Sequence, residues 1–182
     1  MSQRLAIWLN ALALYAIAGV LAAAFYFQLV HNELPCPLCM MQRIAFVAMA
    51  IGPMLTIAFG PRPRNYGIVI LAALIGAVIS GRQVLLHVMP GDPGYGSMVM
   101  GMHFYTWAFV CFAVALAASG LMLCFEDQFE LRLAEPEAGT IAKAGIVIVL
   151  ALTLLNAAGA LLQCGFGECV SDPVRYELLQ VR

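Results

Sequence analysis

The sequence predicts an all-α, polytopic membrane helical bundle. Three observations predict it. Only 10% of the 182 residues are charged and 63% are hydrophobic. A soluble domain carries about 25% charged residues, so this chain has too little polar surface to cover a core in water. Five segments are apolar over a membrane-spanning length, roughly 20 residues. Those segments are continuously apolar, unlike the alternating strands of a barrel. A helix, unlike an open strand, pairs its own backbone in lipid. The formal net charge is −1 and the basic residues are scattered, which excludes a nucleic-acid surface.

The first span is expected over 5–30. Met1 to Arg4 is followed by 28 uncharged residues. That run is longer than the apolar part of a signal peptide, so the segment is expected to be retained. The second span covers about 40–59 and follows the stretch "LPCPLCMMQR", Leu34 to Arg43. The third covers 66–88 and contains Arg82. Its outer link, "MPGDPGYGSMVMGMH", is turn-rich through Gly and Pro. The fourth covers 104–124, with Tyr105 and Trp107 suited to an interfacial aromatic belt. Cys111 and Cys124 lie in or at the end of it, and are read as packing and interfacial residues.

A cytoplasmic link, 125–140, precedes the fifth span at 141–163. Phe125, Phe129 and Leu133 recur every four residues there, which predicts a short amphipathic helix against the membrane. The tail, 164–182, carries Cys164 and Cys169. A short surface helix is expected after Asp172, with Pro173 in its first turn. Tyr176 and Leu179 would dock that tail.

Arg4, Arg62, Arg64, Arg132 and Lys143 all fall on one side of a five-span layout, whereas the links 31–39 and 89–103 hold no Lys or Arg. The basic side is expected to be cytoplasmic. Both close cysteine pairs, CPLC and CGFGEC, then emerge on the opposite, periplasmic face, where disulfides persist. Gly165 and Gly167 allow the tight loop that a Cys164–Cys169 bridge requires.

Pro35 and Pro37 restrict the backbone before Cys36 and Cys39. With Pro37 in the first turn of the second helix, unpaired amides and the positive dipole end lie beside both sulfurs. A thiolate, the reacting species, is stabilised there. Arg43 stands four residues after Cys39, on the same helix face. Its charge serves either a thiolate and a carbonyl acceptor or simple snorkelling to the headgroups. C-x-x-C alone is also compatible with zinc or an iron–sulfur cluster shared with the tail pair. His31, His87 and His103 raise a haem alternative without an opposed buried pair. A non-catalytic scaffold with permanent disulfides is a further alternative, as is a disulfide reductase with the electron flow reversed.

"PCPLCMMQR" resembles the signature of the DsbB family, the quinone-linked oxidases of the bacterial inner membrane. "FQLV" with Gln28, "GRQVLLH" ending in His87 and "GMHFYTWAF" resemble the family's first, third and fourth helices. The resemblance runs over about 5–124, a DsbB-like four-helix core to which a fifth helix is added. It implies ubiquinone or menaquinone as acceptor from the membrane quinone pool. It implies reduced DsbA, a periplasmic thioredoxin-like thiol oxidase, as donor. Cys39 would carry the charge-transfer interaction with quinone beside Arg43, Cys36 would exchange with a second disulfide, and Gln28 and His87 would line the quinone region.

Two features depart from the family pattern. The link between the third and fourth spans is short and has no cysteine, and there is a fifth span. Topology therefore suggests Cys164–Cys169 as a replacement second pair, relaying electrons from a partner to Cys36–Cys39. A purely structural staple for the tail is the other reading of that pair.

Overall fold

The computed structural model describes residues 1–130 and 138–179. Five long helices form the chain: α1 (Gln3–Val30), α2 (Pro37–Phe59), α3 (Pro63–Leu86), α4 (Phe104–Leu123) and α5 (Thr140–Cys164). Each is long and apolar enough to cross a membrane. The shortest, α4, has 20 residues and so spans about 30 Å, the thickness of the hydrocarbon core. The chain is thus a polytopic membrane bundle. Boundaries follow local chemistry. Pro37 and Pro63 occupy the first turns of α2 and α3, where the missing N–H costs nothing. Gly60 and Gly165 end α2 and α5.

Packing follows the order α4–α3–α2–α1–α5, with α5 also resting on α2. The core holds Leu14, Leu21, Ala50, Ala73, Phe112 and Val149. Phe112 stacks on Phe46 at 4.3 Å between centroids and lies over Gly76, where a Cβ would collide with its ring. The outward side chains Leu12, Val78 and Leu154 are exposed and apolar, as lipid-facing positions must be.

The end of the bundle that holds the amino terminus is closed by polar contacts. The amide of Asn10 donates to Tyr66 Oη (3.1 Å), and that hydroxyl donates to Gln128 Oε1 (2.9 Å). Gln3 reaches the carbonyl of Glu130, and the amino terminus pairs with Asp127. In the described part of this link, where an amphipathic helix is expected, the chain forms a 3₁₀ turn, Glu126–Phe129. Its buried residue is Gln128 and Phe125 is exposed, because the Tyr66 hydrogen bond draws the polar side inward. Leu133 lies outside the described residues.

The link between α3 and α4 contains an unexpected hairpin, β1 (Met98–Val99) with β2 (Met102–His103), antiparallel. Met100 and Gly101 between them have φ of 50° and 80°, as a type I′ turn requires. The expected surface helix after Asp172 is shorter, a 3₁₀ turn at Glu177–Leu179. The chain stays irregular through Tyr176, whose hydroxyl reaches Gln28. Tyr176 thus ties the tail to α1, and Leu179 is exposed on the protein surface.

Candidate redox site

Cys36 is the N-cap of α2 and its sulfur accepts the N–H of Cys39 at 3.1 Å. Cys36 and Cys39 form a disulfide with Cα atoms 5.0 Å apart. Cys36 is buried and Cys39 half-buried. Gln83 of α3 completes the setting. Its Nε2 lies 3.4 Å from Cys36 Sγ and 3.6 Å from Cys39 Sγ, and its Oε1 accepts from Gln42 at 2.8 Å.

Arg43 lies on the same face of α2, one turn further in. Its guanidinium donates to Gln28 Oε1 (2.7 Å), Asn156 Oδ1 (3.3 Å) and the carbonyl of Ala24 (3.1 Å). It also stands 5.8 Å above the Phe25 ring. All three acceptors are neutral oxygens, so the charge is held in place without being cancelled. Gln28 is buried and bridges Arg43 to Tyr176.

A cavity of about 280 Å³ opens between α1, α2 and α4 under the link that joins α3 to α4. Small-molecule sites start at roughly 300 Å³. Cys39, Gln42, Arg43 and Phe46 line it from α2, Ala24 and Phe27 from α1, and Tyr105, Trp107 and Cys111 from α4. Tyr95 and Glu33 edge it from above. Glu33 accepts from the Ser97 N–H (3.0 Å) and hydroxyl, and Tyr95 Oη donates to the Leu34 carbonyl (2.7 Å). Burial, then the carboxylates of Asp172 and Glu33, push the Tyr95 phenol upward from its ordinary value. It thus stays a donor across neutral pH. Among the described residues, Gln28 and His87 do not line the cavity. Gln28 stands behind Arg43. His87 faces Asp92 at 3.0 Å and stacks on Tyr105 at 5.4 Å.

The profile of the family described as "Disulfide bond formation protein DsbB" matches residues 4–98. That is over half of the 182 residues. The chain belongs to the DsbB family. Proteins named "Disulfide bond formation protein B" are among its relatives. The one from Marinobacter nauticus is 39% identical over 89 residues, covering 47% of this chain and 53% of the relative. The one from Nitrosomonas eutropha is 41% identical over 75 residues, covering 39% and 46%. The one from Xanthomonas axonopodis pv. citri is 42% identical over 86 residues, covering 44% and 50%. The chain thus spans about half the length of the relatives it matches. No solved structure matches it.

The DsbB match contains Gln28, Cys36, Cys39, Arg43, Gln83 and His87, and ends before α4. The tail lies beyond it. Cys164 and Cys169 form a second disulfide, with Cα atoms 4.7 Å apart. Gly165 takes a φ of 64° to turn the chain between them. Both tail sulfurs stand 3.9 Å from Met40 Sδ, one residue beyond Cys39. Gln163 at the end of α5 donates to the Pro35 carbonyl at 2.8 Å, one residue before Cys36. The two disulfides therefore share one end of the DsbB bundle and are tied to the same loop.

Sequence reading missed four carboxamides that organise this end: Gln42, Gln83, Asn156 and Gln163. The available signal was their rarity, since a polar side chain inside an apolar span needs a partner. It also missed the cavity roles of Tyr105, Trp107 and Cys111, read from sequence as belt and packing residues.

Proposed function

We propose that this chain is a quinone-dependent protein thiol oxidase of the bacterial inner membrane. It reoxidises a periplasmic DsbA-like dithiol protein and delivers the electrons to ubiquinone or menaquinone from the membrane pool. One observation carries the reading. Cys39 and Arg43 share the wall of a mainly apolar cavity at the N-terminal end of a DsbB-type CPLC helix. The residues fit a quinone head: an aromatic and aliphatic wall, a fixed cation for a carbonyl oxygen, and a sulfur alongside.

Overall, two partner thiols become one disulfide, and two electrons and two protons leave on quinol. A partner thiolate opens Cys164–Cys169 through a mixed disulfide. The second partner thiol closes that link, leaving the tail pair as two thiols. A tail thiolate then attacks Cys36, the Cys36–Cys39 bond breaks, and its electron pair stays on Cys39 Sγ. The other tail thiolate closes Cys164–Cys169 again and releases Cys36. Bound quinone supplies the two-electron, two-proton acceptor. Arg43 stabilises negative charge at the cavity wall, and Gln28 and Asn156 hold Arg43 there. His87, fixed by Asp92 against Tyr105, supports the cavity's outer edge.

The test is anaerobic mixing of the purified protein, a reduced thioredoxin-like dithiol protein and either quinone. One quinol should form per disulfide made, and Cys36→Ser or Cys39→Ser should abolish it. Absence of quinone reduction by the intact chain with both quinone types and several dithiol partners would overturn the quinone-linked oxidase reading.

A further inference from the structure

Gln83 is buried, 2% exposed, near the redox end of a membrane-spanning helix. A buried carboxamide is costly unless it is bonded. Its oxygen accepts from Gln42 Nε2 at 2.8 Å and stands 4.0 Å from Cys39 Sγ, so the nitrogen is the nearer of the two atoms to the sulfurs. That nitrogen carries two hydrogens and stands 3.4 Å and 3.6 Å from Cys36 and Cys39 Sγ. Cys36 Sγ has a second donor, the Cys39 N–H at 3.1 Å. Among the described residues, Gln83 is the side-chain donor directed at Cys39 Sγ.

We propose that Gln83 is a further catalytic residue. Its amide stabilises the reduced form of Cys36–Cys39 and sets the reduction potential of that pair, with Gln42 as its positioning residue. The inference rests on reading Cys36–Cys39 as a redox pair, and is independent of which acceptor or partner the pair serves.

The reason is a difference in acceptor strength. A disulfide sulfur is a weak, neutral acceptor. Reduction breaks the S–S bond, adds two electrons and leaves two thiolates, which take up protons from the medium or the attacking thiol. A hydrogen bond to an anion is roughly twice as strong as a neutral one. The same amide therefore counts for more in the reduced state, and makes the pair more oxidising. It also acts at the moment of exchange. When Cys36 is attacked, Cys39 is the leaving group, and a stabilised leaving thiolate departs faster. Gln42 matters because a free carboxamide can turn its oxygen toward the sulfurs, which opposes the anion.

The experiment equilibrates the full-length protein in dithiothreitol redox buffers and traps thiols by alkylation. The oxidation state is read by mass spectrometry on the peptide carrying Cys36 and Cys39. Gln83→Met keeps the side-chain volume and removes both donors. The ratio of reduced to oxidised pair should fall about tenfold at a given buffer, a potential lower by about 30 mV. Gln42→Met should shift it the same way by at least threefold. The double variant should go no further than Gln83→Met, because the two act as one unit. A shift under threefold in folded Gln83→Met protein overturns the proposal. If that variant does not fold, Gln42→Met decides by the same threshold. No quinone enters the measurement. Failure of quinone reduction by the intact chain would remove the proposed function and leave this result standing.

Discussion

Arg43 is a cation whose hydrogen-bond partners are the neutral oxygens of Gln28, Asn156 and Ala24. A carboxylate partner would cancel its field, whereas carboxamides aim it. Arg43→Met should therefore raise KM for quinone at least tenfold, a loss of about 1.4 kcal/mol. Oxidation of dithiothreitol by the front disulfide, in single turnover without quinone, should change less than threefold. Arg43→Lys should fall between, because ammonium keeps the charge but not the planar fork. Steady-state and single-turnover rates on the same preparations check this. Asp92 offers a second residue-scale prediction. The Gly94 N–H at 2.7 Å, and then His87, hold its carboxyl below the ordinary value. A depressed native value adds stability above the unfolded value, and that stability is lost as pH falls through the native one. The outer loop should therefore stay ordered while ordinary carboxylates protonate, and loosen only in stronger acid. Trp107, whose indole donates to the Val99 carbonyl in the hairpin (2.9 Å), reports on this by fluorescence in a Trp8→Phe background. Asp92→Asn should remove that late acid transition.

At the scale of elements, α5 and the tail attach the second disulfide to the first. Gln163 makes the tie, through the Pro35 carbonyl at 2.8 Å. Holding two reactants close raises their effective concentration. Gln163→Leu should slow electron passage from the tail pair to Cys36–Cys39 about tenfold, by loosening this alignment. Direct oxidation of a small thiol at the front pair should be unchanged. Rapid acid quench with alkylation separates the two. Equal slowing of both reactions would mean the variant disturbs the front pair itself. The elements themselves were legible where composition changes sharply. The helix ends fall within a few residues of the expected spans because Pro37, Pro63, Gly60 and Gly165 interrupt apolar runs. The hairpin at Met98–His103 was not legible, since its strands have two residues each and Met100 is an unusual I′ turn residue. The positions of Cys36, Cys39 and Arg43 on one helix follow from spacing alone. Gln83 and Gln163 do not, because their partners lie 41 or more residues away in sequence, and one apolar run carries no mark of which neighbour it meets.

For the whole molecule, the two ends of the bundle have different chemistry, and this sets the last prediction. At one end stand both disulfides, Gln83, Gln163 and an outer link without Lys or Arg. At the other stand the Asn10–Tyr66–Gln128 chain and the amino terminus paired with Asp127. Arg4, Arg62, Arg64 and Lys143 flank helix ends on that second side. Basic residues in short loops near span ends are retained in the cytoplasm, so the disulfide end should face the periplasm. Arg175 and Arg182 on the tail oppose this with two charges against the four on the other side. Alkaline phosphatase fused after residue 179 should therefore be active in cells, and the same fusion after Arg62 inactive. A fluorescent protein that folds only in the cytoplasm should give the reverse pattern. Adding three lysines to the 89–97 link should weaken this contrast, because they would compete with Arg62 and Arg64 for the same side. An inactive carboxyl-terminal fusion paired with an active one after Arg62 would place both disulfides in the reducing cytosol. The proposed flow of electrons from a periplasmic dithiol would then have no route into the chain.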